Sequence, residues 1–223
     1  MVFSSLTFLL LFFPITVGLY FAMPKISGKN AVLLIASVLF YAWGEPKNII
    51  LLIFVIFFNW IMGILVDRYR AQKSISYIVL FTTVLVDIGI LAIYKYSGFA
   101  LANLNRFKVF NFNVPDIILP IGISFFTFQA ISYVIDIYRK NGEVQKNPLN
   151  VGLYIAFFPQ LIAGPILRYK HLAAEIKERK ESMALFCAGV KRFIIGLSKK
   201  TILANNLAIL AERSSEIAGT QDM

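Results

Sequence analysis

The amino-acid sequence predicts an all-α integral membrane protein, a polytopic bundle of about five or six transmembrane helices. Hydrophobic residues make up 58% of the 223 residues, and the mean hydropathy is +0.73. Only 15% of the residues are charged, whereas a soluble domain has roughly 25%. The apolar residues also form long runs that contain almost no charge. In addition, the sequence predicts one broken or re-entrant helix and one interfacial amphipathic helix.

Six apolar runs underlie this prediction: Met1–Pro24, Asn30–Gly44, Ile49–Val66, Ile75–Tyr94, Ile117–Ile135 and Asn147–Leu167. A helix needs about 20 apolar residues to cross the hydrocarbon core, and its backbone must be hydrogen-bonded internally. Four spans are predicted, at 3–23, 49–66, 75–94 and 117–138. The first run has no Lys or Arg before it and no small-residue cleavage site after it, so we interpret it as a retained helix.

The sixth run contains two helix-breaking elements. Pro159 removes a backbone donor and clashes with the preceding turn, and Gly164 and Pro165 follow five residues later. Irregular backbone at membrane depth is tolerated only where it is buried in protein or lines a watery cavity. Residues 150–167 are therefore predicted to re-enter beside a cavity, and a full crossing is the alternative.

The distribution of basic residues predicts an orientation. The net charge is +10, from 22 Lys and Arg against 12 Asp and Glu. One side collects Lys25, Lys29, Arg68, Arg70, Lys73, Arg139, Lys140 and Lys146, and the other collects Lys47, Lys95, Arg106 and Lys108. The richer side should be cytoplasmic, which places the N-terminus outside. These charges are scattered between apolar runs, so nucleic-acid binding is not expected.

Residues 183–210 show helical amphipathicity. Lys191, Arg192, Lys199 and Lys200 lie on one half of the helical wheel, opposite a mainly apolar half. The pattern favours either a helix at the membrane interface or one packed on the cytoplasmic face of the protein. Cys187, the one cysteine, cannot form a disulfide within this chain, and we interpret it as a small core residue.

Two carboxyl groups lie inside apolar runs. A carboxylate at the bilayer centre costs roughly 2.5–3.5 kcal/mol on insertion scales. Asp136 is predicted to form an ion pair with Arg139, one helical turn further on. Asp87 lies near the middle of its run, and we expect a hydrogen bond to a neighbouring helix, with a substrate role as the alternative. The sequence does not identify its partner.

Three amides and one histidine complete the candidate polar residues. Gln129, Gln160 and Asn59 either bridge helices, at about 0.6 kcal/mol each, or line a polar path. His171, the one histidine, lies in a basic segment without an orienting partner, so we do not expect it to act as a catalytic base. One histidine and one cysteine do not suggest a metal site.

Four stretches carry a resemblance to a known family. They are Ala36–Trp43, Leu119–Arg139 with the sequence LPIGISFFTFQAISYVIDIYR, Tyr154–Arg168 with YIAFFPQLIAGPILR, and Gly196–Ala208 with GLSKKTILANNLA. Together and in this order, they resemble the membrane-bound O-acyltransferase family, in particular its bacterial alginate O-acetyltransferase branch. The resemblance runs from residue 3 to residue 210.

The resemblance implies that an acyl group, often acetyl, passes from a cytoplasmic donor to a hydroxyl of an envelope polysaccharide such as alginate. It implies acetyl-CoA or an acylated carrier as co-substrate, with no bound cofactor. It also implies the bacterial inner membrane as location and periplasmic or extracellular acetyl-transfer proteins as partners. Under this resemblance, the candidates for lining a tunnel through the helical core are Gln129, Asp136, Gln160 and Arg168.

The chain also departs from the family pattern. The catalytic histidine of the family lies in a later block, and His171 does not occupy its position. Residues 1–210 are therefore expected to be the N-terminal part of the family's transmembrane domain, with no catalytic residue, and 211–223 a polar tail at a truncation point. The alternatives are a non-catalytic membrane scaffold and a transporter or flippase of acyl or glycan intermediates. An inverted repeat between the two halves would favour a transporter. The sequences of 3–66 and 75–138 show no such correspondence.

Overall fold

A computed structural model describes residues 3–106, 117–162, 164–165 and 167–221. The described elements are all helical. They are α1 (Phe13–Ala22), α2 (Ile26–Gly44), α3 (Ile49–Arg68), α4 (Lys73–Arg106), α5 (Ile123–Tyr138), α6 (Pro148–Ala156), α7 (Phe158–Leu161), α8 (Tyr169–Lys177), α9 (Met183–Ser198) and α10 (Asn205–Gln221). Two π-helical segments, Phe8–Phe12 and Lys199–Ala204, precede α1 and α10.

The chain forms two compact units. One consists mainly of Pro14–Arg179, and the other combines Val2–Phe13 with Lys180–Met223. In the first unit, α3 packs against α4 and α5, while α2 packs against α6. The core between these helices is formed by fully buried side chains, among them Leu52, Phe126, Tyr133, Val134 and Ile155.

Within the part of the chain that the structure describes, four helical segments are long and apolar enough to cross a membrane, at Ile26–Gly44, Ile49–Arg68, Lys73–Asn105 and Met183–Ser214. Large apolar side chains on these helices are exposed, for example Ile50 at 74% and Ile78 at 59%. Such side chains are stable against lipid tails, whereas a soluble protein rarely exposes so large an apolar surface. The prediction of an all-α membrane bundle is confirmed, and the spans at 49–66 and 75–94 lie within α3 and α4.

The other two predicted spans differ in their limits. The segment predicted at 3–23 is a shorter apolar helix, Phe8–Ala22, and the one predicted at 117–138 begins only at Ile123. The reason for the late start is Gly122, whose φ of +76° is a left-handed conformation that a continuing helix does not allow. The helix α2, which was not among the four predicted spans, has 19 residues.

The second unit has little internal core. None of the side chains described between 183 and 214 is buried. The ring of Phe13 stacks on Phe193 at 5.2 Å, and Lys200 Nζ donates to Ser4 Oγ at 3.1 Å. The interpretation of Cys187 as a core residue is wrong: the residue is exposed, because it lies on α9, a helix without buried side chains. The position of this helix at the membrane interface stays a prediction.

Candidate functional site

The predicted helix break is present between α6 and α7. Phe157 has a ψ of 110°, which ends α6 after nine residues, and Pro159 lies in the first turn of the four-residue α7. Beyond α7, Gly164 lies so close to the preceding turn that an added Cβ would be 2.3 Å from Gln160 Cα. Both predicted breakers therefore lie where the helix is interrupted or has ended, and neither short helix is long enough to cross a membrane.

Side chains from other helices satisfy the backbone groups that the break leaves unpaired. In a continuous helix, the N–H of Phe158 would donate to the carbonyl of Tyr154. Here the Phe158 N–H donates to Ser37 Oγ at 3.1 Å. The Tyr154 carbonyl instead accepts from Gln129 Nε2 at 2.6 Å and from Gln160 Nε2 at 3.1 Å. A buried backbone group without a partner is costly, so this network stabilises the break.

These contacts assign a role to both glutamines. Gln129 and Gln160 are 2% and 5% exposed, and their amides meet at one carbonyl. Of the two alternatives left open by the sequence, the structure supports the one in which Gln129 bridges helices. A role of either side chain in lining a tunnel stays a proposal. Ser37, which sequence reasoning did not select, lies within the Ala36–Trp43 stretch that carries part of the family resemblance.

The two longest resemblance stretches pack against each other. A Cβ added at Gly122, just before α5, would lie 2.7 Å from the carbonyl oxygen of Leu161 at the end of α7. Seven residues further on, Gln129 reaches the carbonyl of Tyr154. The stretches Leu119–Arg139 and Tyr154–Arg168, which are separate in the sequence, therefore contact each other on both sides of the helix break.

Three tyrosines extend this contact toward α8. The Tyr169 ring meets Tyr133 edge-on at 4.8 Å and Tyr154 at 5.3 Å, and all three rings are fully buried. Tyr169 Oη donates to the carbonyl of Glu143 at 3.0 Å. Burial raises the pKa of Tyr169 to about 12, and the charge of Glu143 acts in the same direction, whereas a hydrogen bond with Gln145 acts against it. The phenol is therefore neutral at physiological pH.

Asp136 contacts α8 and not the predicted partner. Its Oδ2 accepts from the backbone N–H of Lys170 at 3.3 Å, and the side chain is 5% exposed. Arg139 is the exposed C-cap residue of α5, and no ion pair joins these two described residues. The prediction of an Asp136–Arg139 pair is therefore wrong, because α8 packs beside Asp136 and the backbone N–H of Lys170 binds its carboxylate instead. Arg168, the fourth tunnel candidate, is exposed at the N-cap of α8.

The C-terminus of α5 contains an unusual backbone conformation. The N–H of Asn141 donates to the Asp136 carbonyl at 2.9 Å, and that of Lys140 donates to Ile137 at 3.0 Å. This is the Schellman arrangement, which places one residue in the left-handed region and usually selects glycine there. The residue here is Lys140, with a φ of 61°.

Basic loops gather at this end of the first unit. A cavity of about 480 Å³ is lined by the end of α3 and by the loops that follow α3 and α5, including Asp67, Arg70, Lys140, Glu143 and Lys146. A neighbouring cavity of about 310 Å³ is shared by residues 141–145 and α8, including Tyr169, Lys170 and Lys177. The ammonium of Lys177 donates to the Glu143 carboxylate and holds the pKa of that carboxyl below its usual value.

Hydrogen bonds of the Asn30 side chain connect the two flanks of residues 150–167. At the entry to this segment, Asn150 Oδ1 accepts from Asn30 at 3.4 Å. Beyond its exit, the carbonyl of Ile176 accepts from the same Asn30 side chain at 2.9 Å, and Arg179 donates to Asn30 Oδ1 at 2.6 Å. Asn30 therefore joins the start of this segment to the helix that follows it, whereas the path of the segment relative to a membrane stays a prediction. The basic residues that follow it lie at the end that holds the other basic loops.

Asp87 has the partner that the sequence could not identify. Its Oδ1 accepts from Asn59 Nδ2 at 3.1 Å, across the contact between α3 and α4. The expected hydrogen bond to a neighbouring helix is confirmed, and Asn59 is one of the helix-bridging amides. His171 is exposed on α8. Among the described residues, no group of three or more His, Cys, Asp or Glu side chains could hold a metal ion.

Comparison with known proteins identifies relatives over almost the whole chain. The chain is 39% identical over 219 residues to the probable alginate O-acetylase AlgI of Pseudomonas aeruginosa and 38% identical over 218 residues to that of Azotobacter vinelandii. It is 29% identical over 244 aligned residues to the peptidoglycan O-acetyltransferase of Helicobacter pylori. Each match covers 95% of this chain, but only 41%, 43% and 46% of the respective relative.

These relatives confirm the family resemblance. The chain spans less than half the length of the curated proteins that it matches. No family model matches the sequence. No solved structure matches it.

Proposed function

We propose, on the premise that this chain is a member of the membrane-bound O-acyltransferase family, that it forms part of an enzyme that acetylates a cell-envelope polysaccharide. The observation that carries this proposal is the match to alginate O-acetylases over 95% of the chain. The names of these relatives agree on O-acetyl transfer, although their acceptors, alginate and peptidoglycan, differ. The acceptor proposed here is therefore an envelope glycan, with alginate as one example.

The geometry of the first unit supports this proposal. The break between α6 and α7 is held by side chains from α2 and α5, so irregular backbone lies inside the protein. Membrane proteins tolerate such backbone only in protein or beside a cavity. We propose that this re-entrant element forms one wall of the path for the acyl group, lined by Gln129, Asp136, Gln160 and Arg168.

The distribution of charge supports an orientation. The loop after α5 and the helix α8 contribute Lys140, Lys146, Lys170 and Lys177 to one end of the first unit, together with Arg70. Lys and Arg favour the cytoplasmic side. We propose that this end faces the cytoplasm of a bacterial inner membrane, that the N-terminus lies outside, and that acetyl-CoA or an acylated carrier approaches here. Acetyl-transfer proteins outside the membrane are the proposed partners.

The chemistry requires a base that accepts the proton of the acceptor hydroxyl. The single histidine, His171, is exposed on α8 and has no described carboxylate partner. We propose that the residues of this chain bind and guide the substrates, and that the base is not among them. The chain alone is then expected to be inactive.

The test compares ester-linked acetate on the envelope polysaccharides of cells with and without the gene that encodes this chain. Loss of the acetate on deletion, and its return when the gene is restored, is the expected result. A Pro159→Ala substitution should lower the acetate content, whereas Leu149→Ala, at an exposed position of α6, should not. Unchanged acetate after deletion would contradict the proposed activity and favour a scaffold.

A further inference from the structure

Between α3 and α4, two residues that hydrogen-bond to each other each have a buried side-chain oxygen without a described hydrogen-bond donor. Asn59 and Asp87 both have no exposed surface. Asn59 Nδ2 donates to the Val55 carbonyl at 3.0 Å and to Asp87 Oδ1 at 3.1 Å. The remaining oxygens, Asn59 Oδ1 and Asp87 Oδ2, accept from no group that the structure describes. Both helices are long and apolar enough to cross a membrane, and both residues lie well inside them.

No described basic group compensates a charge on Asp87. On α3, Asp67 forms an ion pair with Arg70 at 2.8 Å. On α5, which also packs on α4, Asp136 accepts from Lys170, and Tyr133 contacts the backbone of Gln145. An ionised carboxylate held by one neutral amide would therefore be buried without a counter-charge, and that is the costly case for a charged group. Hydrogen-bond accounting alone requires one more donor at this point.

We propose that Asp87 binds a proton and that Asn59 and Asp87 form a neutral acid–amide pair. In this pair, Asp87 Oδ2–H donates to Asn59 Oδ1, while Asn59 Nδ2 donates to Asp87 Oδ1. A carboxyl group gains one donor when it is protonated, so one proton supplies the missing donor for both unmatched oxygens. The proton on Asp87 comes from water before the helices pack around the pair.

The pair has a consequence for the packing of the two helices. Two hydrogen bonds in parallel join α3 to α4 without placing a charge inside the bundle. Loss of the proton would remove one of these bonds and leave a buried carboxylate, so the contact between α3 and α4 depends on the bound proton. Neither Asn59 nor Asp87 belongs to the element between α6 and α7 on which the proposed acetyl transfer relies.

Infrared spectroscopy of the protein in lipid bilayers at neutral pH tests the proposal. A protonated carboxyl group gives a carbonyl band above the amide I region, and an ionised one does not. We expect one such band in the natural protein and its loss in Asp87→Asn. The matched control is Asp136→Asn, because Asp136 is also buried on a predicted span but accepts a backbone N–H. That variant should keep the band.

A second variant keeps the test decisive if Asp87→Asn does not fold. In Asn59→Leu, the Asp87 carbonyl loses the bond from the amide, so the band should move to higher frequency. Labelling aspartate with ¹³C at the carboxyl carbon should shift the same band. Absence of an acid band in the natural protein would overturn the proposal, and it is the result expected for an ionised Asp87 bridged by water. A band that persists in Asp87→Asn, or that does not respond to Asn59→Leu, would overturn it as well.

Discussion

Lys140 shows how one residue can hold a costly conformation at the end of a helix. Its φ of 61° closes the Schellman arrangement after α5, and an L-residue with a side chain pays roughly 1 kcal/mol there compared with glycine. The residue also lines the 480 Å³ cavity at the basic end of the first unit. A non-glycine residue retained in this conformation is consistent with a role for its ammonium group in that cavity.

Replacement of Lys140 by glycine should stabilise the protein. We expect Lys140→Gly to raise the free energy of unfolding by about 1 kcal/mol, because glycine adopts the left-handed conformation without steric cost. Denaturant titration of the protein in detergent micelles, followed by circular dichroism, measures this change. Lys146→Gly is the matched control, since Lys146 lies in the same loop without a positive φ, and it should give no gain. A gain of equal size in both variants would contradict the explanation.

The two glutamines should behave as a coupled pair. Gln129→Leu and Gln160→Leu each leave the Tyr154 carbonyl with one donor, so each should cost little, about 0.6 kcal/mol. The double substitution leaves a buried carbonyl without a partner and should cost more than the sum, by roughly 1–3 kcal/mol. A double-mutant cycle of unfolding free energies measures this coupling. Phe128→Leu, at an exposed neighbour of Gln129, is the control, and strict additivity would argue against a shared acceptor.

At the scale of elements, the re-entrant segment depends on features that are short and local. Pro159 prevents a continuous helix from α6 into α7, and Gly164 allows the chain to pass close to Gln160. Other helices then satisfy the freed backbone groups through Ser37 and Gln129. Residues within the segment therefore cause the break, but the stability of the break depends on side chains from α2 and α5.

A methyl group at Gly164 should disrupt this segment. Its Cβ would lie 2.3 Å from Gln160 Cα and 2.6 Å from Gln160 Cβ, both too close for any real contact. We expect Gly164→Ala to lower the yield of folded protein several-fold, measured by size-exclusion chromatography of detergent extracts with a fluorescent fusion. Gly189→Ala is the control, because an added Cβ on α9 has no atom within 4 Å. Equal yields of both variants would show that the turn can relax.

At the scale of the whole molecule, the proposed re-entrant path of 150–167 would resolve a conflict between hydropathy and charge. A full crossing by 150–167 would move the cations of 168–180 away from the other basic loops. The contacts of Asn30 with both Asn150 and Ile176 join the two flanks of the segment, and Lys170 and Lys177 lie beside the loop after α5. The charge asymmetry between the two ends would therefore be larger than a count over six full crossings suggests.

Cysteine labelling tests this topology. In a Cys187→Ser background, single cysteines at Lys47, Lys140 and Lys177 report the side of each position in intact cells with a membrane-impermeant maleimide. We expect labelling at Lys47→Cys, and protection at Lys140→Cys and Lys177→Cys until the membrane is opened. All three positions are exposed in the structure, so burial should not prevent the reaction. Labelling of positions 140 and 177 from opposite sides would contradict the re-entrant path.

The sequence by itself determined the class of protein, the spans of α3 and α4, the break near Pro159 and the family. These features are local or additive, because in lipid each backbone segment must satisfy its own hydrogen bonds and its length sets whether it can cross. The family stretches are also contiguous in the chain, so no knowledge of packing is needed to find them.

Only the tertiary structure decided which groups meet. The amides of Gln129 and Gln160 converge on Tyr154, Asp136 faces the backbone of Lys170 and not Arg139, and Asp87 meets Asn59 across 28 positions of sequence. The same holds for the contacts that join the two flanks of 150–167, and for the exposure of Cys187. A polar side chain inside a membrane bundle takes the nearest donor or acceptor that packing presents, and packing between distant helices is not encoded in any single stretch.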